Sequence, residues 1–464
     1  MEPMQTVFDR PLYDKYDVPG PRYTSYPTAP HFHGGFGADA YIDVARASND
    51  DPVPRPLSLY LHIPFCHSLC YYCACTKIIT RHPHKGEIYL HYLERELALQ
   101  GALFDDDRPL RQLHLGGGTP TFLEDHQLWR LMQTIIRHFP PAPMGEREFS
   151  IEIDPRAVGP DTMRMLGEMG FNRMSIGVQD FDPAVQKAVN REQSATLVRE
   201  VIEQGRGSGM ESLSLDLIYG LPHQSVRTFD ATLDEVLAIR PDRLSVYNYA
   251  HLPERVKAQR LIAFETLPSP EEKLGILEHT VQRLTEAGYV AIGLDHFALP
   301  DSDLVHAMEN NTLQRNFQGY STHAECDLVA AGMSAIGMIG GHYCQNAADL
   351  RSYYAALDAG RLPVAKGCQL DFDDRVRRTV IERLMCRTWV DFDAIERRFG
   401  IHFTDYFAPE LEALAPLEAD GLIQRESDGI RVLPTGRLLL RNVAMVFDRY
   451  LQDGTANVRY SRTV

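Results

Sequence analysis

Leu57-Ser58-Leu59-Tyr60-Leu61-His62-Ile63-Pro64-Phe65-Cys66-His67-Ser68-Leu69-Cys70-Tyr71-Tyr72-Cys73-Ala74-Cys75 is the stretch that organises the chain. Leu57–Ile63 reads as a buried strand that runs into a loop. The loop carries three cysteines in C-x3-C-x2-C spacing and a fourth after one further residue. Clustered thiolates on one loop can hold a soft metal centre. Three of them around a cubane of four irons leave one iron free for another ligand, which points to chemistry rather than to a closed structural site. A structural zinc site needs four ligands, commonly two pairs separated by a loop. Four cysteines within ten residues make such wrapping hard. Spacing alone also leaves a disulfide pair open.

Downstream of this stretch, short apolar strands alternate with segments of helical length. Strands are expected near Leu57–Ile63, Gln112–Leu115, Phe149–Ile153, Arg173–Val178, Ser212–Ile218 and Arg243–Asn248. Helices are expected over Ile88–Leu99, Asp125–His138, Asp161–Met169, Ala195–Gly205, Ser225–Ala238 and Ser269–Ala287. Ser225, and Ser269 followed by Pro270, are helix-start signals. Six βα units predict a parallel α/β sheet, with strands apolar on both faces under covering helices. Ligands in such folds gather at the carboxyl ends of the strands. Polar residues fall at those ends in turn: the cysteine loop, Gly116–Pro120, Glu152 with Asp154, Gln179, Asp216, and Tyr249–His251. Any one of them alone ties down a loop; six in succession are hard to explain by packing.

The chain of 464 residues is 44% hydrophobic and 24% charged, an ordinary globular composition with room for two domains. Its net charge of −16 argues against a general nucleic-acid or anionic-membrane binder. Met1–Thr6 has no basic, apolar leader character, and the best apolar run, Val329–Gly340, is short and glycine-rich. Eight cysteines, four clustered and four scattered, suit a reducing, cytoplasmic compartment with one metal site.

Three parts are expected: an arm over residues 1–50, an α/β domain over 51–366, and a mostly helical domain over 367–464. The arm holds Gly20-Pro21-Arg22-Tyr23-Thr24-Ser25-Tyr26-Pro27, a stiff segment whose aromatics either tie it to the surface or pack across a cleft. In the last part, helices are expected over Arg375–Cys386, Phe392–Phe399, Tyr406–Leu414 and Arg437–Tyr450, with a hairpin around Asp428-Gly429. This is a winged-helix-like pattern. With no dense basic helix, a cover over the open side of the sheet is preferred to DNA binding.

Cys66–Cys73 resembles the signature of the radical S-adenosylmethionine superfamily. That resemblance implies a [4Fe-4S] cluster on Cys66, Cys70 and Cys73 and a partial (β/α)6 barrel. More closely, the whole chain resembles the oxygen-independent coproporphyrinogen III oxidases. The residues that carry this are Gly20–Ala29, His62–Cys75, Gly116–Pro120, Ile151–Pro155, Gly177–Phe181 with Asn190-Arg191-Glu192, Asp216–Pro222, Tyr249–Pro253 and Arg315–Tyr320. The implied activity turns two propionates of coproporphyrinogen III into vinyl groups, through hydrogen abstraction by a 5′-deoxyadenosyl radical and loss of CO2. The product is protoporphyrinogen IX of haem biosynthesis. The resemblance also implies two molecules of S-adenosylmethionine. Tyr60, Gly117, Glu152, Ala250 and Ile336 are expected on the one at the cluster. Tyr72, Gly118, Thr119, Gln179, Arg191 and Asp216 are expected on the second. Tyr60, His62, Cys75 and Glu152 are the candidate catalytic residues, with no cluster-ligand role for Cys75. Arg22 and Arg315 are candidates for the substrate carboxylates. An external electron donor of flavodoxin type and a monomeric state are further expectations.

The nearest alternative is a haem-binding chaperone on the same scaffold. Such relatives typically lack an equivalent of Cys75, lack the Gly-Pro-Arg-Tyr arm and carry His-Asn-x-x-Tyr-Trp. This chain has the first two features, and its tryptophans, Trp129 and Trp389, do not occur in that motif.

Overall fold

The computed structural model describes residues 6–452 and 460–463. Most of the Met1–Thr6 start, on which the reading of no leader rests, lies outside them. A twelve-stranded mixed sheet forms the centre. In chain order its strands are β1 (Leu57–Ile63), β2 (Leu110–Gly117), β3 (Glu148–Ile153), β4 (Arg173–Gln179), β5 (Ser212–Tyr219) and β6 (Arg243–Asn248). Then come β7 (Val290–Gly293), β8 (His296–Ala298), β9 (Asp327–Ala331), β10 (Ile336–Ile339), β11 (His342–Asn346) and β12 (Val364–Gln369). Their order across the sheet is β12-β11-β10-β9-β1-β2-β3-β4-β5-β6-β8-β7, so the barrel is open at both edges.

β1 to β6 run parallel, and β9 adds a seventh parallel strand beside β1. The six expected helices follow them, from His84–Gly101 to Pro270–Glu286. The start signals act as read. Ser225 and Thr228 form a reciprocal capping box, and the Ser269 hydroxyl accepts from the Glu272 N–H.

The expectation of strands apolar on both faces is corrected. In β5, Leu213, Leu215, Leu217 and Tyr219 are buried, while Ser212, Ser214 and Asp216 alternate with them on the other side. The same alternation lines the bore with Ser58, Gln112, His114, Ser150, Glu152, Ser175 and Ser245. Helices cover only the outside of a partial barrel; its inside holds a polar cavity of about 160 Å³.

Sequence reading also missed β9 to β12, which begin in the glycine-rich stretch and run on to Gln369. Gly332, at φ +98°, ends β9, and Gly340 and Gly341, at φ +55° and +82°, make the turn between β10 and β11. β12 crosses the expected boundary between residues 366 and 367. The single helix expected over Arg437–Tyr450 is broken into a 3₁₀ turn (Pro434–Leu439) and short helices Leu440–Met445 and Arg449–Gln452. The Asp448 carboxylate accepts from the Tyr450 N–H and the Tyr23 hydroxyl, a side-chain alternative to continuing the helix. Pro409 and Pro416 likewise divide the expected Tyr406–Leu414 helix from its neighbours. The expected hairpin gains a third strand, Trp389–Asp391, on the Gly429–Val432 side.

The arm is partly helical (Arg10–Tyr16 and Ala38–Ala47), and Tyr13, Tyr23, Tyr26 and Tyr41 are buried. Its end is pinned by Arg108, whose side chain is fully buried. Arg108 donates to the Ser48 hydroxyl, Asn49 Oδ1, the Arg55 carbonyl and Asp327 Oδ2 at 2.6–2.9 Å. Arg108→Met leaves the Asp327 carboxylate buried without its cation. A loss of about 3–5 kcal/mol is expected, read as a lower urea midpoint with an unchanged slope.

Candidate active site at the carboxyl ends of the strands

The cysteine loop is clasped at its base. Phe65–Cys66 pairs in parallel with Ile78–Ile79, and the Thr80 N–H donates to the Cys66 carbonyl. Neighbouring elements hold the rest. Asn190 Nδ2 donates to the Leu69 carbonyl, the Tyr71 N–H to the Val189 carbonyl, and Lys77 Nζ to the Cys73 carbonyl. Gln259 Nε2 bridges the carbonyls of Tyr72 and Ala250, which ties the end of β6 to the loop.

Cys66, Cys70, Cys73 and Cys75 all line one cavity of about 440 Å³. None is in a disulfide. No three of these thiols lie within 4.8 Å of one another, the closeness that a single tetrahedral ion demands. A soft donor set spread more widely around a cavity fits a larger thiolate-bound cluster. Cys70 is buried and Cys75 is exposed. Burial pushes the Cys66 thiol up to about 11, while the Thr119 hydroxyl, 3.6 Å from its sulfur, opposes this. The Cys73 thiol is drawn below its ordinary value, first by a hydrogen bond from Cys75 and then by the Lys77 charge, against its burial.

The same cavity gathers Tyr72, Gly117, Gly118, Thr119, Glu152, Gln179, Arg191 and Asp216. Gly118 has no alternative. A Cβ there would lie 2.7 Å from the Phe65 carbonyl oxygen and 3.0 Å from Cys66 Sγ. Glu152 Oε2 accepts from the Gly117 N–H at 3.1 Å, and its Oε1 lies 3.3 Å from His114 Nε2. Tyr60 lies one level below, in the bore, its ring stacked on His114 at 5.7 Å. The His62 ring has one unambiguous tautomer. Its Nε2–H donates to the Thr76 carbonyl, so Nδ1 accepts from the Tyr60 hydroxyl at 3.0 Å. Burial pushes this imidazole below its ordinary value, which favours the neutral form.

The cavity wall carries opposite charges. Arg191 is buried, donates to the Gly177 carbonyl, and lies 3.6 Å from Cys70 Sγ and 3.3 Å from Asp154 Oδ2. Arg156 shares both partners, at 3.8 and 2.7 Å. Asp216, the register partner of Gly177 on the neighbouring strand, stands beside Ser175. Burial, then the Glu152 charge, pushes its carboxyl up to about 6.

Not every expected residue reaches this cavity. Ala250 acts through its carbonyl. Ile336 opens β10, and the pairing of Leu328 with Met338 carries it to the level of Ala330, the partner of Tyr60. Neither Arg22 nor Arg315 lines the cavity. Arg22 pairs with Asp295 at 2.6 Å, and Arg315 lies over the Tyr320 ring with its Nε on the Arg22 carbonyl. Arg22 thus ties the arm to the β7–β8 turn, and Arg315 ties it to the hairpin that carries Tyr320. Sequence reading placed Asp154 at a strand end without assigning it a role, and missed His114, Arg156 and Lys77. The signal for His114 was its register, since β1 and β2 pair Tyr60 with His114.

Comparison with known proteins agrees with this geometry. The radical SAM superfamily model matches residues 60–236, and the HemN C-terminal domain model matches residues 370–439. The chain is 49% identical to an oxygen-independent coproporphyrinogen III oxidase of Pseudomonas aeruginosa, over 98% of this chain and 99% of that one. It is 46% identical to the protein of the same name from Escherichia coli, over the full length of both. A solved structure from Escherichia coli, described as a coproporphyrinogen III oxidase and radical SAM enzyme, superposes with a TM-score of 0.91. That match covers 96% of this chain and 100% of the other, at 46% identity. From its cysteine loop to its last helices, the chain belongs to the oxygen-independent coproporphyrinogen III oxidase family of radical SAM enzymes.

Proposed function

We propose that this chain carries out the oxygen-independent oxidative decarboxylation of coproporphyrinogen III to protoporphyrinogen IX. The observation that carries the reading is the cysteine-lined cavity at the carboxyl ends of the strands, on a chain matched end to end by such oxidases. Cys66, Cys70 and Cys73 would hold a [4Fe-4S] cluster. When bound, the cluster and S-adenosylmethionine supply an electron and a hydrogen-abstracting 5′-deoxyadenosyl radical.

The chain's own part is positioning. The Gly116–Thr119 backbone and Glu152 offer acceptors and donors to the methionine part of one S-adenosylmethionine. Arg191 and Asp216, of opposite charge, suit the carboxylate and ammonium of a second. Neutral His62 fixes the Tyr60 hydroxyl, which keeps that ring at the mouth of the bore. Cys75, exposed at the rim, is a candidate for contact with substrate. A one-electron donor of flavodoxin type is inferred because no second redox centre is built by the described cysteines. A monomeric enzyme in a reducing compartment is inferred because one chain supplies the whole cavity and all eight cysteines are free. No helix among the described residues is long and apolar enough to cross a membrane. We also infer that the arm, catalytic and C-terminal parts are the functional divisions, with the last beginning at the Phe372–Cys386 helix.

The test is anaerobic reconstitution with iron, sulfide, reductant and S-adenosylmethionine. Release of CO2 and 5′-deoxyadenosine from coproporphyrinogen III is expected. Tight haem binding without turnover would identify a chaperone instead.

Asp216 makes a separate prediction. Its carboxyl rises from 3.8 unfolded to about 6 folded, so folding favours the protonated form. That stability is present below pH ~4 and is lost as pH rises through ~6. Asp216→Asn is therefore expected to be more stable than the native chain at pH 7.5, by on the order of 2 kcal/mol, with the gap closing at pH 4. Urea unfolding at the two pH values reads this directly. The same variant is expected to raise KM for S-adenosylmethionine.

A further inference from the structure

A third, larger cavity lies at the opposite end of the barrel from the cysteines. Its volume is about 840 Å³, and it is walled by the end of the arm, the start of β9, the β10–β11 turn and the helices Phe372–Cys386 and Phe392–Phe399. Asp327, which opens β9 opposite Leu57, marks the amino-terminal edge of the sheet. The cavity belongs to none of the chemistry described above.

Its composition is unusual for a chain of net charge −16. Arg55, Arg375, Arg378, Arg383, Arg387 and Arg398 all line it. Glu382 is engaged by Arg378 through two bonds, at 3.0 and 2.8 Å. Asp327 is engaged by Arg108 and by the Gly340 N–H. Arg383 reaches only the Asp391 carbonyl. Among the described residues, Arg55, Arg375, Arg387 and Arg398 have no carboxylate within 4.0 Å; Asp50 and Asp51 line the cavity without an ion pair, beside the engaged Glu382 and Asp327. The guanidinium groups are close enough to act on one another. Arg398 is held below its ordinary value by burial first, with Arg378, Arg55 and Arg387 adding to it against Glu382.

Arg55, Arg375 and Arg398 are exposed and Arg387 half-buried, and like charges gathered in one concave site repel unless an anion fills it. Leu313, Met338 and Phe399 add apolar wall between the guanidinium groups. The volume is in the range of small-ligand sites. We propose that this cavity binds a small organic polyanion, with an apolar body and at least two carboxylate or phosphate groups, held by Arg55, Arg387 and Arg398. Fork-shaped guanidinium groups suit either kind of oxyanion. Because the walls come from the arm, the sheet and the C-terminal helices, occupancy fastens all three together.

Titration calorimetry on the full chain at low salt tests this with two probes. Pyrophosphate reports on phosphate-bearing ligands, and coproporphyrin III, a stable tetracarboxylate, on carboxylate-bearing tetrapyrroles. At least one probe is expected to bind with Kd well below ~1 mM and to weaken as salt is added. Arg387→Ser/Arg398→Ser is expected to weaken that binding about tenfold or more. Arg55→Ser, on the opposite wall, is expected to weaken it too, which a local distortion of the C-terminal helices does not explain. The probe that responds to the arginines identifies the source of the ligand. Binding of neither probe, or binding indifferent to all three arginines, overturns the proposal.

Discussion

Replacing Cys66, Cys70 or Cys73 by alanine, one at a time, is expected to remove both iron and sulfide from the reconstituted protein and to reduce turnover to background. Cys75→Ala is expected to keep the cluster and lose turnover. The distinction follows from the loop. Cys66 leaves the short strand Phe65–Cys66 with Thr119 on its sulfur, Cys70 is buried against Arg156 and Arg191, and Cys73 is held by the turn from Cys70. Cys75 is exposed and hydrogen-bonds Cys73. A cubane held by three thiolates has no spare protein ligand, so losing one leaves two irons open and the cluster labile. The measurement is iron and acid-labile sulfide per chain: about four of each in the native protein and Cys75→Ala, and close to none in the other three. Full cluster content in any of those three, or none in Cys75→Ala, would reassign the ligands.

The cysteine loop was legible because all its ligands are contiguous and its strand precedes it directly. The six parallel strands and their helices were legible for a similar reason: apolar runs of the right length with capping serines at Ser225 and Ser269. Reading failed where structure depends on distant pairing. β9 to β12 are short strands broken by Gly332, Gly340 and Gly341, and only the sheet edge they complete makes them strands. The polar bore was misread as a second apolar face, although the serines at 58, 150, 175, 214 and 245 alternate visibly with leucine and isoleucine. Which polar residues meet was also hidden. His114 touches Tyr60 and Glu152 through strand register, and Arg156 meets Cys70 across 86 positions of chain. The break at Asp448 needed knowledge of Tyr23, from the other end of the molecule.

Arg191→Met is expected to cost both binding and stability, and pH separates the two. The Arg191 guanidinium is buried, and its bonds reach the Gly177 carbonyl, Cys70 Sγ and Asp154. Removing it takes away the cation offered to an S-adenosylmethionine carboxylate, for a rise in KM of about a hundredfold at 3 kcal/mol. Arg191→Lys is not expected to restore it, since an ammonium cannot reproduce a fork shared among three partners. The stability effect runs through Asp154. Burial raises its carboxyl, but Arg191, then Arg156, outweigh this and hold it at about 2 against 3.8 unfolded. A depressed carboxyl contributes stability that is complete above pH ~4 and is lost as pH falls through ~2, here about 2 kcal/mol. Without Arg191, Asp154 retains only Arg156, so its carboxyl moves back up towards 3.8 and less of its stability is left to lose on acidification. The urea midpoint of Arg191→Met is therefore expected to lie below the native one at pH 7, with the gap narrowing as pH falls to 3. A midpoint gap that is the same at pH 7 and pH 3, with KM still raised, would mean that Arg156 alone holds Asp154 and that Arg191 serves the ligand only.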